Sequence, residues 1–292
     1  MKKILITGKN SYIGKMFESY MQKWSEDYKI DKISLRGGEW KSTDFSYYDS
    51  IIHLAGIAHV STDPKMEELY YQVNRDLTVE VAKKAKREGV NQFIFMSSII
   101  VYGKDQTTIG RHTIPTPDNF YGRSKLEAEE SLNKMQSQDF NIVLIRPPMI
   151  YGKGAKGNYR KLSEVAKKTP LFPCVYNYRS MLHINNLCEF LKLMIFYKEK
   201  GVFFPQNKLY VNTSEMVKMI AEVHKKKVRL TKVFNPILSI LSKKVIVINK
   251  VFGDLVYEKS LSEYKKEYRL IDFRETIVLT EMENENNENS FS

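Results

Sequence analysis

The sequence predicts an α/β protein in which a doubly wound parallel sheet of the Rossmann type is followed by a smaller C-terminal α/β lobe. Through the first 150 residues, short apolar runs of strand length alternate with longer segments whose apolar residues have helical spacing. That order implies parallel strands joined by right-handed crossovers, with helices on both faces. A glycine turn from Gly8 to Gly14 separates the first run from the first helix, where such sheets bind dinucleotides.

Each predicted strand is a short run rich in Ile, Val, Leu or Phe. The first run ends at Thr7-Gly8 and the fourth ends at Ser97-Ser98. The five predicted strands are Lys3–Thr7, Lys32–Leu35, Ser50–Leu54, Gln92–Met96 and Asn141–Ile145.

The helices between these strands have recognisable starts and ends. Asp63 is placed to cap a helix whose first residue is Pro64, and this helix should run to about Arg87, before Gly89. The other two helices are predicted over Tyr12–Trp24 and Phe120–Met135.

The alternation changes after Arg146-Pro147-Pro148. We expect residues 1–150 to form a cofactor-binding domain and residues 151–280 a smaller lobe, partly interleaved with the last sheet strands. Helices of this lobe are predicted over Lys161–Lys168, Asn186–Tyr197 and Ser214–His224, and the apolar stretch Val245–Val256 is predicted to be a core helix. Residues 281–292 are rich in Glu and Asn, with almost no apolar residues, so disorder is predicted there.

The chain has a net charge of +12, and its last twelve residues hold four Glu and no Lys or Arg. The basic residues are scattered and no nucleic-acid motif is found, so a phosphate-rich small molecule is the expected partner rather than nucleic acid. No run approaches the ~18 apolar residues of a membrane span, and the first apolar run is too short for a signal peptide. Cys174 and Cys188 lack metal-site spacing, so we expect reduced thiols, no metal site and a cytoplasmic protein.

The turn Gly8-Lys9-Asn10-Ser11-Tyr12-Ile13-Gly14 matches a dinucleotide-binding fingerprint in place and spacing. Gly8 allows the tight turn, Gly14 allows the helix to pack on the strand, and the helix N-terminus donates amides to the pyrophosphate. Ser11 replaces the usual middle glycine. It is small, and its hydroxyl can reach a phosphate.

The residues after the second strand bear on the choice of cofactor. Sites that prefer NAD usually place Asp or Glu there to bind the ribose 2′-hydroxyl. This chain has Ser34-Leu35-Arg36-Gly37-Gly38, and the Arg36 guanidinium is suited to a 2′-phosphate. NADP(H) is therefore favoured over NAD(H), with Glu39 and Asp44 as the nearby acids that NAD(H) would need.

Tyr121 and Lys125 are candidates for acid–base chemistry. They are four residues apart on a predicted helix and so share one face. An ammonium beside a phenol favours the phenolate, so we expect Lys125 to lower the pKa of Tyr121. Ser98 ends the fourth strand, at the sheet edge where ligands of such folds bind.

These motifs together resemble the extended short-chain dehydrogenase/reductases, also called the NAD-dependent epimerase/dehydratase family, over about residues 2–200. The matching segments include His53-Leu54-Ala55-Gly56, Ser98-Ile99-Ile100-Val101-Tyr102-Gly103, Tyr121-Gly122-Arg123-Ser124-Lys125 and Arg146-Pro147-Pro148-Met149-Ile150-Tyr151-Gly152. The resemblance implies Tyr121 as acid/base, Lys125 also on the nicotinamide ribose, and Ser98 on the reacting oxygen. It implies a cofactor site formed by Gly8, Ser11, Tyr12, Ile13, Gly14, Leu54, Ala55, Gly56, Asn74, Tyr121, Lys125 and Pro148.

The same resemblance implies a nucleotide-sugar substrate, a UDP-sugar, and a homodimer formed through the helices around residues 65–87 and 120–137. Asn158, in Gly154-Ala155-Lys156-Gly157-Asn158-Tyr159, resembles a residue that meets the sugar and diphosphate. Arg179, in Arg179-Ser180-Met181-Leu182-His183, resembles the family arginine that meets the diphosphate. The acid that usually follows that stretch is absent from Asn185-Asn186-Leu187.

Two activities and one non-catalytic role are compatible with these residues. Family dehydratases carry an Asp-Glu pair where this chain has Ile99-Ile100, and apolar side chains cannot transfer protons, so dehydration is excluded. The favoured activity is reduction of a UDP-4-keto-6-deoxy-N-acetylhexosamine at C4 in surface-polysaccharide synthesis. The alternative is a UDP-sugar (glucose or N-acetylglucosamine) 4-epimerase with tightly bound NAD. A non-catalytic cofactor sensor is the third, although such proteins typically lose the tyrosine or the lysine.

Overall fold

The computed structural model describes residues 1–57, 63–233, 235 and 252–282. Its strands, in chain order, are β1 (Lys2–Thr7), β2 (Tyr28–Ile33), β3 (Ser50–His53), β4 (Gln92–Met96), β5 (Thr108–Ile109), β6 (Asn141–Ile145), β7 (Met149–Tyr151), β8 (Leu171–Pro173), β9 (Met181–His183), β10 (Gly201–Phe203), β11 (Arg229–Thr231) and β12 (Val256–Tyr257). Its α-helices are α1 (Tyr12–Met21), α2 (Glu67–Tyr70), α3 (Leu77–Arg87), α4 (Phe120–Asn133), α5 (Asn158–Lys168), α6 (Ile184–Phe196), α7 (Thr213–Val223) and α8 (Phe273–Met282).

The central sheet has six strands in the order β2-β1-β3-β4-β6-β10, and every neighbouring pair is parallel. The predicted doubly wound Rossmann class is confirmed. The chain adds β2 on one side of β1 and β3 on the other, so the strand order reverses at β1. In such sheets the ligand crevice lies outside the carboxyl ends of the strands at that reversal.

The side chains of successive residues in each central strand point to opposite faces of the sheet. Ile4 and Ile6 of β1 belong to a core that includes α1 and α6, whereas Leu5 belongs to a second core that includes α3 and α4. Strands buried on both faces need apolar residues at nearly every position, which explains the continuous runs in the sequence.

The sequence located the inner strands better than the edge strands. Gln92–Met96 and Asn141–Ile145 match β4 and β6, but β2 covers Tyr28–Ile33 rather than Lys32–Leu35. β2 is an edge strand and only partly buried, so charged residues alternate with its apolar ones and weaken the pattern. The other edge strand, β10, has three residues and is missing from the prediction.

The helix signals are largely confirmed. Asp63 Oδ1 accepts a hydrogen bond from the backbone N–H of Lys65 at 3.0 Å, with Pro64 first in the helical turn. The helical run to Arg87 is interrupted by a π-helical turn, Tyr71–Asp76, between α2 and α3. No helix within the described ranges is long and apolar enough to span a membrane.

Helices α5, α7 and α8 enclose a third core, beside the short parallel pairs β7–β9 and β8–β11. The predicted core helix over Val245–Val256 falls mostly outside the described residues, and its end is strand β12. The predicted disorder from residue 281 is wrong at its start, because α8 continues to Met282 and Glu281 is fully buried. The Glu281 carboxylate accepts hydrogen bonds from Ser163 at 2.8 Å and His224 at 2.7 Å, which offset its burial. Residues 283–292 lie outside the described residues.

Candidate active site

The glycine turn after β1 has the geometry of a dinucleotide cradle. Gly8 has φ +96°, and a Cβ there would lie 2.9 Å from the backbone nitrogen of Ala55. A Cβ on Gly14 would lie 3.1 Å from Ile6 and 3.3 Å from Leu54. Both glycines therefore allow β1, α1 and the turn after β3 to approach closely. A larger residue at either position would push this turn away from the sheet.

Ser11 caps α1 in this turn. Its Oγ accepts a hydrogen bond from the backbone N–H of Gly14 at 3.3 Å. The hydroxyl proton is not used in that bond and can still be donated to a phosphate. The first amides of α1, on Tyr12 and Ile13, lack intrahelical partners by their position and face the same end of the sheet.

Two buried hydroxyls, one on the first residue of α1 and one on the residue after β4, support a bound group at the carboxyl ends of the strands. Among the described residues, the hydroxyls of Tyr12 and Ser97 have no hydrogen-bond partner. Buried polar groups are rarely left unpaired, so a ligand that supplies partners is expected here. With the close-packed glycines and the start of α1, the residues fit a dinucleotide cofactor.

The end of β2 places two cations beside the cradle. The backbone amides of Gly8 and Lys9 both donate to the carbonyl of Ile33, at 3.0 Å each, so Lys9 lies next to the last residue of β2. Arg36 follows three residues later with an exposed side chain. The Asp44 carboxylate accepts a hydrogen bond from the Ser46 amide at 2.9 Å, within its own turn. Arg36 was predicted from the sequence as a cofactor residue, whereas Lys9 was not.

Helix α4 brings Tyr121 to Ser98 through a close contact at Gly122. The side chain of Asn119 caps the helix by accepting from the Gly122 amide at 2.9 Å. A Cβ on Gly122 would lie 2.9 Å from the carbonyl oxygen of Ile100. Only glycine therefore lets the first turn of α4 lie against the short helical turn Ile99–Tyr102 that Ser98 caps.

Burial raises the pKa of Tyr121 to about 12, and hydrogen bonding by the nearby Ser98 side chain opposes this rise. The expected lowering of the Tyr121 pKa by Lys125 is absent. The Lys125 ammonium donates instead to the carbonyl of Met96 at 3.0 Å and lies 4.5 Å from the centre of the Phe95 ring.

Lys125 is buried at 5% exposure, and this burial lowers its pKa to about 8. The charged form is costly in such a place, and the carboxylate of Glu129 partly compensates it. At neutral pH the side chain is still an ammonium, positioned to donate to a ligand.

Gly56 and Asn74 lie beside Lys125. A Cβ on Gly56 would lie 2.9 Å from Asn74 Oδ1 and 3.3 Å from Lys125 Nζ. Asn74 lies in the π-helical turn, a distortion that is frequent at functional sites. Its amide accepts from the Ile57 N–H at 2.8 Å and donates to Ile57 O and Ser124 Oγ at 3.2 Å each. Asn74 therefore fixes the turn after β3 that would line the cofactor.

His53 forms a buried network below this turn that sequence reasoning missed. Its Nδ1 lies 2.9 Å from Thr7 Oγ1 and its Nε2 lies 3.0 Å from Thr78 Oγ1, while Thr78 donates to the carbonyl of Asn74 at 2.8 Å. Thr78 has one hydroxyl proton, so His53 must donate from Nε2 and Thr7 must donate to Nδ1. Burial lowers the His53 pKa to about 3, which keeps the ring neutral. The network ties the end of β1 to the π-helical turn.

A second buried network extends from helix α4. Glu129 follows Lys125 by one helical turn and accepts from Arg146 Nε at 3.1 Å. Arg146 Nη1 donates to the Tyr102 hydroxyl at 2.7 Å. The sequence marked Arg146 only as part of a motif. A pair of opposite charges far apart in sequence leaves no local signal, so this contact could not be predicted.

The predicted substrate residues lie in the C-terminal part of the chain. Asn158 is exposed at the first turn of α5. Arg179 is mostly buried, its Nη1 donates to the carbonyl of Gly253 at 2.8 Å, and burial lowers its pKa while Asp254 opposes that. Within the described ranges no carboxylate lies within ion-pair distance of Arg179, and no polar contact joins Asn158 or Arg179 to Tyr121. Pro148 follows Pro147, whose carbonyl accepts from the Ile99 amide at 2.9 Å, so it lies close to the helical turn Ile99–Tyr102.

Comparison with known proteins places these features in a wider group. The family model of the NAD-dependent epimerase/dehydratase family matches residues 4–203. A UDP-glucose 4-epimerase of Vibrio cholerae is 32% identical over 247 residues, which are 75% of each chain. An N-acetyl-alpha-D-glucosaminyl-diphospho-ditrans,octacis-undecaprenol 4-epimerase of Escherichia coli O157:H7 is 34% identical over 160 residues, covering 53% of this chain and 46% of that relative.

Solved structures share the fold at lower identity. A UDP-glucuronic acid 4-epimerase from Bacillus cereus in complex with NAD has a TM-score of 0.74 at 15% identity, over 97% of this chain and 99% of that one. A dTDP-4-dehydrorhamnose reductase from Bacillus anthracis in complex with NADP has a TM-score of 0.65 at 21% identity, over 79% and 83%. Both an epimerase and a reductase thus have this architecture.

Proposed function

The chain belongs to the NAD-dependent epimerase/dehydratase family, and from that membership we propose that it is an NADPH-dependent reductase acting at C4 of a diphosphate-linked keto sugar. The substrate class favoured is a UDP-4-keto-6-deoxy-N-acetylhexosamine. We favour a reductase because of the positive charge at the end of β2. Arg36 and Lys9 supply positive charge where an NAD site usually has a carboxylate.

Nicotinamide, when bound, supplies the hydride for the sugar C4. Tyr121 supplies the proton that the C4 oxygen needs, and Ser98 holds that oxygen through its hydroxyl. A pKa of about 12 makes Tyr121 a proton donor rather than a phenolate in the free protein, which suits reduction of a carbonyl. Lys125 lies beside Gly56 and Asn74, where it would bind the nicotinamide ribose.

The side chains around Tyr121 argue against loss of water as part of the reaction. Elimination needs an acid and a base besides the tyrosine. Ile99 and Ile100 occupy the turn after Ser98, and neither carries a proton that it can transfer. The proposed chemistry is therefore confined to one hydride and one proton at C4.

In the proposed substrate complex, the diphosphate lies at Arg179. Its guanidinium is mostly buried and has no carboxylate at ion-pair distance within the described residues, so a phosphate would relieve the cost of that burial. Asn158, at the start of α5, would meet the sugar or the diphosphate. We further propose that the chain acts as a homodimer, with 1–150 as its cofactor domain and 151–280 as its substrate lobe.

A second candidate, a 4-epimerase with tightly bound NAD, is favoured by the activities of the curated relatives. It would use the same residues, with Tyr121 first removing and later returning the hydroxyl proton. The two relatives act on sugars carried by UDP and by an undecaprenyl diphosphate. A sugar linked to a diphosphate is common to both.

The cofactor that accompanies the purified protein separates the two candidates. The protein is denatured and the released dinucleotide is identified by chromatography and mass spectrometry. The reductase proposal predicts a site that is loaded by added NADPH and consumes it with a UDP-4-keto sugar. Stoichiometric release of NAD, with interconversion of UDP-hexoses and no added cofactor, would contradict it. If cells that carry only a Tyr121→Phe variant keep the phenotype of cells with the unaltered protein, a non-catalytic cofactor sensor would instead be favoured.

A further inference from the structure

The positive charge of this protein is concentrated in its C-terminal part. Residues 151–282 contain 25 Lys and Arg against 12 Asp and Glu, a net charge of +13. Residues 1–150 contain 21 against 19, a net charge of +2. A substrate diphosphate needs only a few cations. The remaining excess is therefore available to attract a larger anionic surface.

Large apolar side chains are exposed in the same part of the chain. Five of them lie in segments that neighbour one another: Leu171, Tyr176, Tyr178, Leu209 and Val233, with exposures of 47%, 77%, 58%, 55% and 77%. We call this set, together with Lys232 and Lys259, the aromatic–lysine face.

Strand pairing and ring contacts connect the segments of this face. β8, which contains Leu171, pairs with β11, and the Cys174 amide donates to the Thr231 carbonyl at 2.8 Å, two residues before Val233. The Tyr178 ring packs against that of Tyr210, 6.3 Å between centres, and Tyr210 follows Leu209. The exposed side chains thus belong to adjacent segments of one surface.

Lysines lie over the rings of this surface. Lys232 Nζ is 5.7 Å from the centre of the Tyr176 ring, and Lys259 Nζ is 5.3 Å from that of Tyr210. The nearby acids are Asp254, whose carboxylate accepts from the Tyr178 amide at 2.7 Å, and Glu258, close to Tyr210. Exposed tyrosines with lysines beside them are the composition that proteins place at a membrane–water interface.

The aromatic–lysine face adjoins the proposed diphosphate residue. Arg179 directly follows Tyr178, and its backbone pairs with Val211 and Leu255. A diphosphate bound at Arg179 would therefore have its carrier group leave the site close to Tyr178. A carrier embedded in a bilayer could reach this arginine only if the face lay against the lipid surface.

We propose that the aromatic–lysine face docks the protein on the surface of an anionic lipid bilayer. The lysines attract the headgroups, and the tyrosines and Val233 insert at headgroup depth. The binding is peripheral. Its use, to bring the site to a lipid-linked sugar diphosphate, rests on the proposed function, whereas the docking does not.

The test is sedimentation of the full chain with vesicles, without substrate or cofactor. Vesicles of phosphatidylcholine alone are compared with vesicles that also contain phosphatidylglycerol, at low and high salt. Tyr176→Ser with Lys232→Glu removes one ring–lysine pair of the face. Tyr47→Ser with Lys3→Glu is the matched control, because Lys3 lies 5.5 Å from the exposed Tyr47 ring in the other part of the chain.

We expect salt-sensitive binding of the unaltered protein to phosphatidylglycerol vesicles only. The Tyr176/Lys232 variant should bind them at least about 10-fold more weakly, and the Tyr47/Lys3 variant within about twofold of the unaltered protein. Thermal melting and circular dichroism verify that both variants are folded. No binding by the unaltered protein, or equal losses in the two variants, would overturn the proposal.

A third result would also overturn it. If the Tyr176/Lys232 variant keeps vesicle binding and loses affinity for a soluble UDP-sugar, the face belongs to the nucleotide site. Because sedimentation involves no reaction, failure of the reductase assignment would leave the vesicle result intact and distinguishable.

Discussion

Replacing Lys125 by methionine should stabilise the fold while abolishing activity. The lysine has a pKa of about 8 when folded and an ordinary value of 10.5, so burying its charge costs about 3 kcal/mol. Methionine has a similar length and no charge. Methionine also loses the hydrogen bond to the Met96 carbonyl, which offsets about 1 kcal/mol of the stability gained by removing the charge. We expect Lys125→Met to raise the free energy of unfolding by about 2 kcal/mol at pH 7.

The stability that Lys125→Met gains over the unaltered protein should decrease as the pH rises. Below pH 8 the lysine is charged in both states, and the folded protein bears the full cost. Between pH 8 and 10.5 the folded protein has lost the proton and the unfolded chain still holds it. The stability of the unaltered protein therefore rises with pH over this window. The advantage of the methionine variant should shrink over the same window.

Urea unfolding followed by circular dichroism, from pH 7 upward, measures this difference. Lys84→Met is a matched control, since Lys84 is also buried but pairs with Glu88 at 2.6 Å, and its loss removes the shortest ion pair of that carboxylate. It should destabilise the fold. A Lys125→Met variant that is less stable at pH 7, or a gain that does not change with pH, would refute the idea that Lys125 is held at a cost to stability.

Other variants test the remaining assignments. Tyr121→Phe should lower kcat by about 10²–10⁴-fold in a steady-state assay and leave NADPH binding unchanged, and weakened binding would argue for a structural role. Arg36→Asp should raise KM for NADPH by about 10–100-fold and favour NADH, whereas an unchanged ratio would remove Arg36 from the cofactor site. Glu129→Gln should cost about 3–5 kcal/mol of unfolding free energy because it leaves Arg146 buried without its partner, while a double change of both to Met should cost less. A smaller loss in the single variant than in the double would contradict this pairing.

The sequence was most informative where a physical rule acts locally. The buried strands β4 and β6 need unbroken apolar runs, and their bounds were predicted correctly. The cap at Asp63 and the glycine spacing from Gly8 to Gly14 follow from local backbone requirements, and they too agree with the structure. Edge strands such as β2 are half-exposed, so their pattern is weaker and its bounds were misplaced.

Contacts between distant segments could not be predicted. The bonds from His53 to Thr7 and Thr78 join three elements, and no one of these residues is unusual in its own segment. The lowered pKa of Tyr121 was also a wrong prediction. The spacing places Lys125 on the same helix face, but only the packed structure reveals that its ammonium donates to a backbone carbonyl and that burial dominates the phenol.

The most direct test of the proposed reaction follows the hydride itself. The purified protein is incubated with a UDP-4-keto-6-deoxy-N-acetylhexosamine and NADPH that carries deuterium at the transferable position. Mass spectrometry and NMR of the product then locate the label. The account predicts deuterium at C4 of the reduced sugar and its loss when Tyr121 is replaced by Phe. An unreduced keto sugar with the label retained in NADPH, together with epimerisation of a UDP-hexose by the same preparation, would contradict it.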